Sequence, residues 1–271
     1  MTEAGELASE RRSPAAVRTD DLWPVLMLTG LAVVAWVVTV DRMQGMDMGP
    51  GTELGGLGWF AGVWTVMMAG MMLPSLSPMA IAYSRGAEGG RVGTSGGTVL
   101  FAGAYLIVWV VVGLVAYAVI GGVRSLDLGF LGWDKGGRYV AGGVIAGAGL
   151  YELSSAKASC LRHCRDSRLL RQRPGPLGAL WMGAEQGGFC VGCSGALMAA
   201  LFALGVMSIT WMVLIAAVIA IEKLSPWRLI PSGVAAALLL VLGLAVAFFP
   251  DQVPGLTLPA GPMDAMNEMS M

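Results

Sequence analysis

Long uncharged stretches, broken by short polar segments, occupy most of the chain between residues 22 and 250. An α-helix needs about 20 mostly apolar residues to cross the roughly 30 Å hydrocarbon core of a bilayer. The longest uncharged stretch, residues 186–221, would form one helix of about 54 Å at ~1.5 Å per residue, so we expect it to turn near residues 205–208. The pattern therefore predicts an all-α, polytopic bundle of about seven transmembrane helices, over residues 23–40, 59–82, 98–120, 138–156, 178–205, 209–223 and 232–249.

The composition also favours a membrane protein. Hydrophobic residues make up 56% of the 271 residues and charged residues only 13%, whereas soluble domains carry about 25% charged residues. The net charge of −1 excludes a nucleic-acid binder driven by attraction to phosphate. We expect a single transmembrane helical domain over residues 22–250, between a disordered cytoplasmic N-terminus, residues 1–21, and a mobile Met-rich tail on the outer side, residues 251–271.

Lysine and arginine are unevenly distributed between the two sides of the predicted bundle. Cytoplasmic loops of membrane proteins carry an excess of these residues. With the N-terminus inside, 13 of the 17 basic residues fall on the cytoplasmic side, and the outer side receives Arg42, Arg124, Lys135 and Arg138. This bias predicts a multi-pass protein of the cell (inner or plasma) membrane, with the lipid bilayer as a partner, its N-terminus in the cytoplasm and its C-terminus outside.

Seven of the 18 methionines fall into two groups. The first group lies in the short outer segment after the first predicted helix and comprises Met43, Met46 and Met48. The second lies within an arc of about 140° on one face of the second predicted helix and comprises Met67, Met68, Met71 and Met72. Thioether sulfur is a soft ligand that suits Cu(I), although methionine also fills gaps in helical cores. Both groups are therefore candidate copper ligands.

The four cysteines form two close pairs. Cys160 and Cys164 are one helical turn apart, just beyond the cytoplasmic end of the fourth predicted helix. Cys190 and Cys193 lie within the fifth predicted helix. A cysteine thiolate binds soft metal ions, whereas a thiol in a membrane helix can also serve as a small apolar filler. We take all four cysteines as candidate metal ligands.

Two further polar residues lie beside these pairs. His163, the only histidine of the chain, stands between Cys160 and Cys164, and Glu185 shares a helical face with Cys190 and Cys193. An ionisable group within a membrane span is costly and by default indicates a functional site. His163 and Glu185 are therefore candidate ligands as well, and a position at the membrane interface is the structural alternative for each.

Several segments together resemble a known bacterial family. They are residues 64–74, with Met67, Met68, Met71, Met72 and Pro74, then Cys160-Leu161-Arg162-His163-Cys164-Arg165, then Cys190-Val191-Gly192-Cys193. Over roughly residues 59–228 the combination resembles a domain-of-unknown-function family described as predicted metal-binding integral membrane proteins. The resemblance implies a metal-binding membrane protein. Where that family often carries Cys-Cys-Trp and a preceding His, this chain has Cys193-Ser194-Gly195 and Gln186.

These observations favour copper handling, as Cu(I), by transport, delivery or storage, with zinc as the alternative metal. A metallochaperone or a subunit of a membrane complex is the expected protein partner. The chain has no Walker loop and only one histidine, which argues against ATP-driven transport and against a Ser-His-Asp hydrolase, so a non-enzymatic role is expected. A structural subunit of a membrane complex and a membrane thiol-disulfide oxidoreductase that uses Cys190 and Cys193 are the alternatives.

Overall fold

The computed structural model describes residues 19–43, 55–87, 94–125, 136–169, 171, 173–205, 208–225, 230–250 and 253. Within these ranges the chain forms eight α-helices and one 3-10 helix, and it contains no strand. The helices are α1 (Thr19–Met43), α2 (Leu57–Ala87), α3 (Thr94–Ser125), α4 (Arg138–Glu152), α5 (Ser155–Arg165), a 3-10 helix (Ser167–Leu169), α6 (Gly175–Leu204), α7 (Ile209–Leu224) and α8 (Ile230–Phe248). The predicted all-α helical bundle is therefore confirmed.

Five of the described helices, α1, α2, α3, α6 and α8, are long and apolar enough to cross a membrane. α4 and α7 have 15 and 16 residues, and at ~1.5 Å per residue each is shorter than the roughly 30 Å hydrocarbon core. The count of seven spans and the cytoplasmic N-terminus therefore stay predictions.

The fourth predicted helix is divided in the structure. α4 ends at Glu152, and Ser154 has an extended backbone, with φ −74° and ψ 147°. The backbone N–H of Lys157 donates to the Ser154 side chain at 3.2 Å, so Ser154 caps the start of α5. The prediction of one helix over residues 138–156 is therefore wrong in its C-terminal part, because the preference of serine for a helix N-cap outweighs the continuation of α4. Cys160 and Cys164 consequently lie on a separate short helix.

The long helix α6 lies at the centre of the bundle. It packs against α3, α4, α5 and α7, while α2 packs between α1 and α3 and α4 packs along α8. The interior is rich in methionine and aromatic side chains, and the indole N–H of Trp64 on α2 donates to the carbonyl of Trp109 on α3 at 2.7 Å. Large apolar side chains such as Leu26 on α1 and Val241 on α8 are 66% exposed, as expected of a surface that faces lipid rather than water.

A buried ion-pair cluster fixes the position of α5. The ammonium group of Lys157 donates to both carboxylate oxygens of Glu222 on α7, at 2.7 and 2.8 Å, and also pairs with Glu152 at the end of α4. Ser232 on α8 donates to Glu222 at 3.1 Å. Burial lowers the pKa of Lys157, and the adjacent Glu222 carboxylate acts in the opposite direction. This cluster links α4, α5, α7 and α8 through one buried lysine.

Gly142 on α4 and Gly243 on α8 allow these two helices to approach closely. A Cβ atom built on Gly142 would lie 2.6 Å from the carbonyl oxygen of Gly243 and 2.8 Å from the Cβ of Ala247. Real Cβ atoms do not approach backbone oxygens this closely, so a side chain at position 142 would push the helices apart. Small residues at helix interfaces serve the same purpose in many membrane proteins.

We expect Gly142→Ala to destabilise the bundle by about 1–3 kcal/mol, because the added methyl group overpacks the α4–α8 interface. Gly143 on the same helix is the matched control, since a Cβ there meets no atom within 4 Å. Gly143→Ala should be neutral or slightly stabilising through the higher helix propensity of alanine. Thermal unfolding of both variants in detergent measures the difference, and equal unfolding temperatures would contradict the close approach.

Candidate metal centre

Sulfur atoms from three helices meet in the interior of the bundle. Cys193 Sγ on α6 lies 3.5 Å from Cys164 Sγ on α5, and Cys190 Sγ lies 3.9 Å from the thioether sulfur of Met72 on α2. Within α6, Cys193 Sγ also donates to the carbonyl oxygen of Cys190 at 3.3 Å, which connects the two pairs. We call Met72, Cys164, Cys190 and Cys193 the sulfur cluster. All four residues are at most 6% exposed, and the cysteines are free thiols.

The sulfur cluster depends on a close contact between α5 and α6. On α5 the residues Lys157, Leu161 and Cys164 are buried, and their spacing places them on one helical face. Opposite this helix stands Gly192, where an added Cβ would lie 2.5 Å from Cys160 Sγ. The absence of a side chain at Gly192 therefore lets α5 approach α6 closely enough for Cys164 to reach Cys193.

Tyr151, near the end of α4, supports the same contact. Its hydroxyl group donates to the carbonyl oxygen of Gly192 at 2.7 Å. This hydrogen bond joins the end of α4 to the segment of α6 that carries Cys190 and Cys193. A contact from α4 therefore helps to fix the position of the Cys190–Cys193 segment of α6.

Two polar side chains contact Cys190 and were missed by the sequence reasoning. The hydroxyl group of Tyr105 on α3 lies 2.9 Å from Cys190 Sγ, and the ammonium group of Lys223 on α7 donates to the same sulfur at 3.0 Å. Lys223 also donates to the Ser75 hydroxyl at 3.1 Å. No local pattern identifies Tyr105 as a neighbour of Cys190, because they are 85 positions apart. The available signal for Lys223 was a lysine at the end of an apolar helix.

The donor set suits a soft metal ion better than a hard one. Sulfur atoms that share a metal at about 2.3 Å, the usual Zn–S distance, lie roughly 3.8 Å apart in a tetrahedral site, close to the separations of 3.5 and 3.9 Å in the sulfur cluster. In the described part of the chain, however, no group of three or more His, Cys, Asp or Glu side chains is arranged to hold a metal ion. The sulfurs therefore form neighbouring pairs rather than a closed cage.

The protonation of Cys164 follows from its neighbours. Hydrogen bonds with Cys190 and Cys193, together with burial, raise the pKa of the Cys164 thiol well above its ordinary value. At neutral pH this thiol is protonated in the metal-free protein. Metal binding at Cys164 would displace that proton, since the thiolate is the form that ligates.

The four methionines of α2 are all buried. Met67, Met68, Met71 and Met72 are between 0% and 5% exposed, and they belong to the same core as the cysteines. Met72 is the member of this stripe whose sulfur contacts Cys190. In the outer group, Met43 is the last residue of α1, and Met46 and Met48 lie outside the described residues.

Glu185 and His163 lie apart from these sulfur contacts. Glu185 is partly exposed, and its carboxylate is 3.9 Å from the guanidinium group of Arg173, which precedes α6. The His163 ring stacks on Phe189 with centroids 4.4 Å apart, and its Nδ1 donates to the carbonyl oxygen of Ser159 at 2.9 Å. That hydrogen bond leaves Nε2 of His163 as the ring nitrogen able to ligate.

Comparison with known protein families connects this chain to copper. The family model PpoB2, described as a copper chaperone, matches residues 61–246. The matched region runs from α2 to α8 and contains every member of the sulfur cluster. No curated protein and no solved structure matches the chain. Because the family model covers well over half of the sequence, the chain belongs to the PpoB2 family of copper chaperones.

Proposed function

We propose that this protein binds Cu(I) at the sulfur cluster inside a membrane and hands it on to another protein. The observation that carries the proposal is the meeting of Met72, Cys164, Cys190 and Cys193 from three helices that are distant in sequence. Cysteines that only fill space in a helical core are not required to place their sulfur atoms next to one another. Membership in a copper chaperone family supports copper as the ion.

The chemistry of the cluster favours Cu(I) over zinc. Thiol and thioether sulfur are soft donors, and soft donors favour Cu(I). A structural zinc site is instead closed by four ligands in tetrahedral geometry, and no such closed group of His, Cys, Asp or Glu occurs in the described ranges. Neighbouring pairs of sulfurs suit an ion that accepts low coordination numbers and moves by ligand exchange.

The sulfur contacts suggest a route for the ion. Cys160, partly exposed on α5 beside Gly192, would exchange Cu(I) with a partner at the cytoplasmic side, together with the free nitrogen of His163. From there the ion would pass to the sulfur cluster. The remaining stripe, Met67, Met68 and Met71, would extend the route along α2 toward the outer side, where Met43, Met46 and Met48 would collect or release copper.

Glu185 has no ligand role in this proposal. Its carboxylate is directed to Arg173 at the partly exposed start of α6. An exposed carboxylate–guanidinium pair of this kind contributes little to stability.

A thiol-disulfide oxidoreductase is the second candidate function, favoured by the 3.5 Å separation of the Cys164 and Cys193 sulfur atoms. Oxidation would break both S–H bonds, join the two sulfur atoms at about 2.05 Å, and pass two electrons and two protons to a disulfide or quinone acceptor, which is reduced to two thiols or to a quinol. Cysteine variants separate the two functions. An oxidoreductase that lacks one of its two cysteines forms a mixed disulfide, whereas a copper site that lacks a cysteine loses metal.

The Cys190→Ser/Cys193→Ser double variant should lose most of its copper, because a serine hydroxyl is a hard and weak donor for Cu(I). The measurement is the copper content of the purified full-length protein after anaerobic loading with Cu(I). Ser194→Ala is the matched control, since it removes a buried hydroxyl group that lies 3.4 Å from Cys193 Sγ while leaving every sulfur atom in place. If the double variant binds as much copper as the wild type, the proposal is wrong.

Met72→Leu should weaken Cu(I) binding by about three- to tenfold while leaving stability nearly unchanged, because leucine fills a similar volume without a donor atom. Met182→Leu is the control. Met182 is equally buried on α6, but its sulfur accepts from the backbone N–H of Arg173, away from the thiols. Competition with a chromophoric Cu(I) chelator gives both affinities, and equal losses in the two variants would remove Met72 from the site.

A further inference from the structure

Lys223 places a positive charge directly at the sulfur cluster. Its Nζ lies 3.0 Å from Cys190 Sγ and is anchored on its other side by the Ser75 hydroxyl at 3.1 Å. Ser75 in turn donates to the carbonyl oxygen of Met72 at 2.8 Å. The lysine on α7 is therefore fixed between the two helices that supply Met72 and Cys190.

The acidic neighbour of Lys223 does not neutralise it directly. The Glu222 carboxylate accepts hydrogen bonds from Lys157 and Ser232 in the separate ion-pair cluster. Among the described residues, Lys223 donates to the Cys190 sulfur and the Ser75 hydroxyl group. Its charge is thus directed toward the atom that would bind the metal.

A cation bound to Cys190 would lie close to this ammonium group. With a metal–sulfur distance of about 2.3 Å, the ion would be within roughly 5 Å of Nζ. At a given position the Coulomb repulsion from Lys223 is twice as large for a divalent ion as for a monovalent ion. The repulsion is strong here because the site is buried among apolar side chains, where screening by water and salt is weak.

We infer that Lys223 is a specificity residue that favours monovalent Cu(I) and excludes divalent ions such as Zn(II) and Co(II) from the sulfur cluster. The inference rests on the copper site proposed above and adds to it the charge of the ion that the site accepts. Soft sulfur ligands favour Cu(I) but also bind zinc, so the charge of Lys223 adds to the preference that the sulfur donors supply. Tyr105 donates or accepts a hydrogen bond at the same sulfur without a charge, so Lys223 is the one of these two contacts that repels a cation in proportion to its charge.

The test compares the affinities of the full-length protein for Cu(I) and for Zn(II), each measured by competition with a chelator in detergent. Lys223→Gln replaces the ammonium with a neutral donor that can still hydrogen-bond to Cys190. We expect the ratio of Cu(I) to Zn(II) affinity to fall by about tenfold or more in this variant, with Zn(II) affinity rising. Binding of Co(II), followed by its thiolate charge-transfer absorption, should increase in parallel.

Lys223→Arg serves as the control. It keeps the charge, so it should retain a ratio within about threefold of the wild type. Lys223→Leu is a second neutral variant and should also lower the ratio of Cu(I) to Zn(II) affinity. It takes the place of Lys223→Gln if that variant does not fold.

The outcomes are distinguishable. If the neutral variants lose Cu(I) and Zn(II) affinity equally, Lys223 only supports the fold and the inference is wrong. If Lys223→Arg behaves like Lys223→Gln, the shape of the lysine matters rather than its charge, and the inference is equally wrong. If the wild type binds Cu(I) and the affinity ratio is unchanged in every variant, the inference about Lys223 alone is wrong. If the wild type binds no Cu(I), the proposed copper function is wrong as well.

Discussion

The pairing of Lys157 with Glu152 and Glu222 is the constraint on which the geometry of the site depends. All three side chains are at most 3% exposed, and an isolated charge buried away from water costs several kcal/mol. The ammonium group must therefore stay with its carboxylates, which come from α4 and α7. Because Lys157 belongs to α5, the pairing holds this short helix inside the bundle and places Cys164 seven residues further along on the same buried face.

Glycine residues set how closely the helices approach one another. The ion pairs hold α5 in place, but the thiols meet only because Gly192 presents no side chain to Cys160. Gly142 and Gly243 have the same effect between α4 and α8, the helices that carry Glu152 and Ser232. Charge pairing thus determines which helices join, and missing side chains determine how closely they pack. Both effects are strongest in an apolar interior, where water cannot fill a gap or solvate a charge.

The sulfur cluster lies in an apolar core and also contacts a charged side chain, Lys223. Its sulfurs are compatible with a core of methionine and aromatic side chains, so a soft-ion site needs no water-filled cavity. Lys223 on α7 and Tyr105 on α3 contact Cys190, and the Ser194 hydroxyl group lies 3.4 Å from Cys193 Sγ. In the copper function proposed above, these contacts would hold an ion inside the helical bundle without a dedicated cage.

The sequence by itself determined the all-α bundle, the long apolar helices and the soft character of the candidate ligands, because hydrophobic periodicity and donor chemistry are local properties. It could not separate the cysteine, methionine, histidine and glutamate candidates that meet from those that do not. Glu185 shares a helical face with Cys190 in the sequence, yet it pairs with Arg173. Lys223 was not among the candidates, yet its ammonium group contacts Cys190. Only the tertiary structure decided these points. The contacts of Met72 with Cys190 and of Cys164 with Cys193 join different helices, and buried ion pairs and close glycine contacts in the bundle set the relative position of those helices.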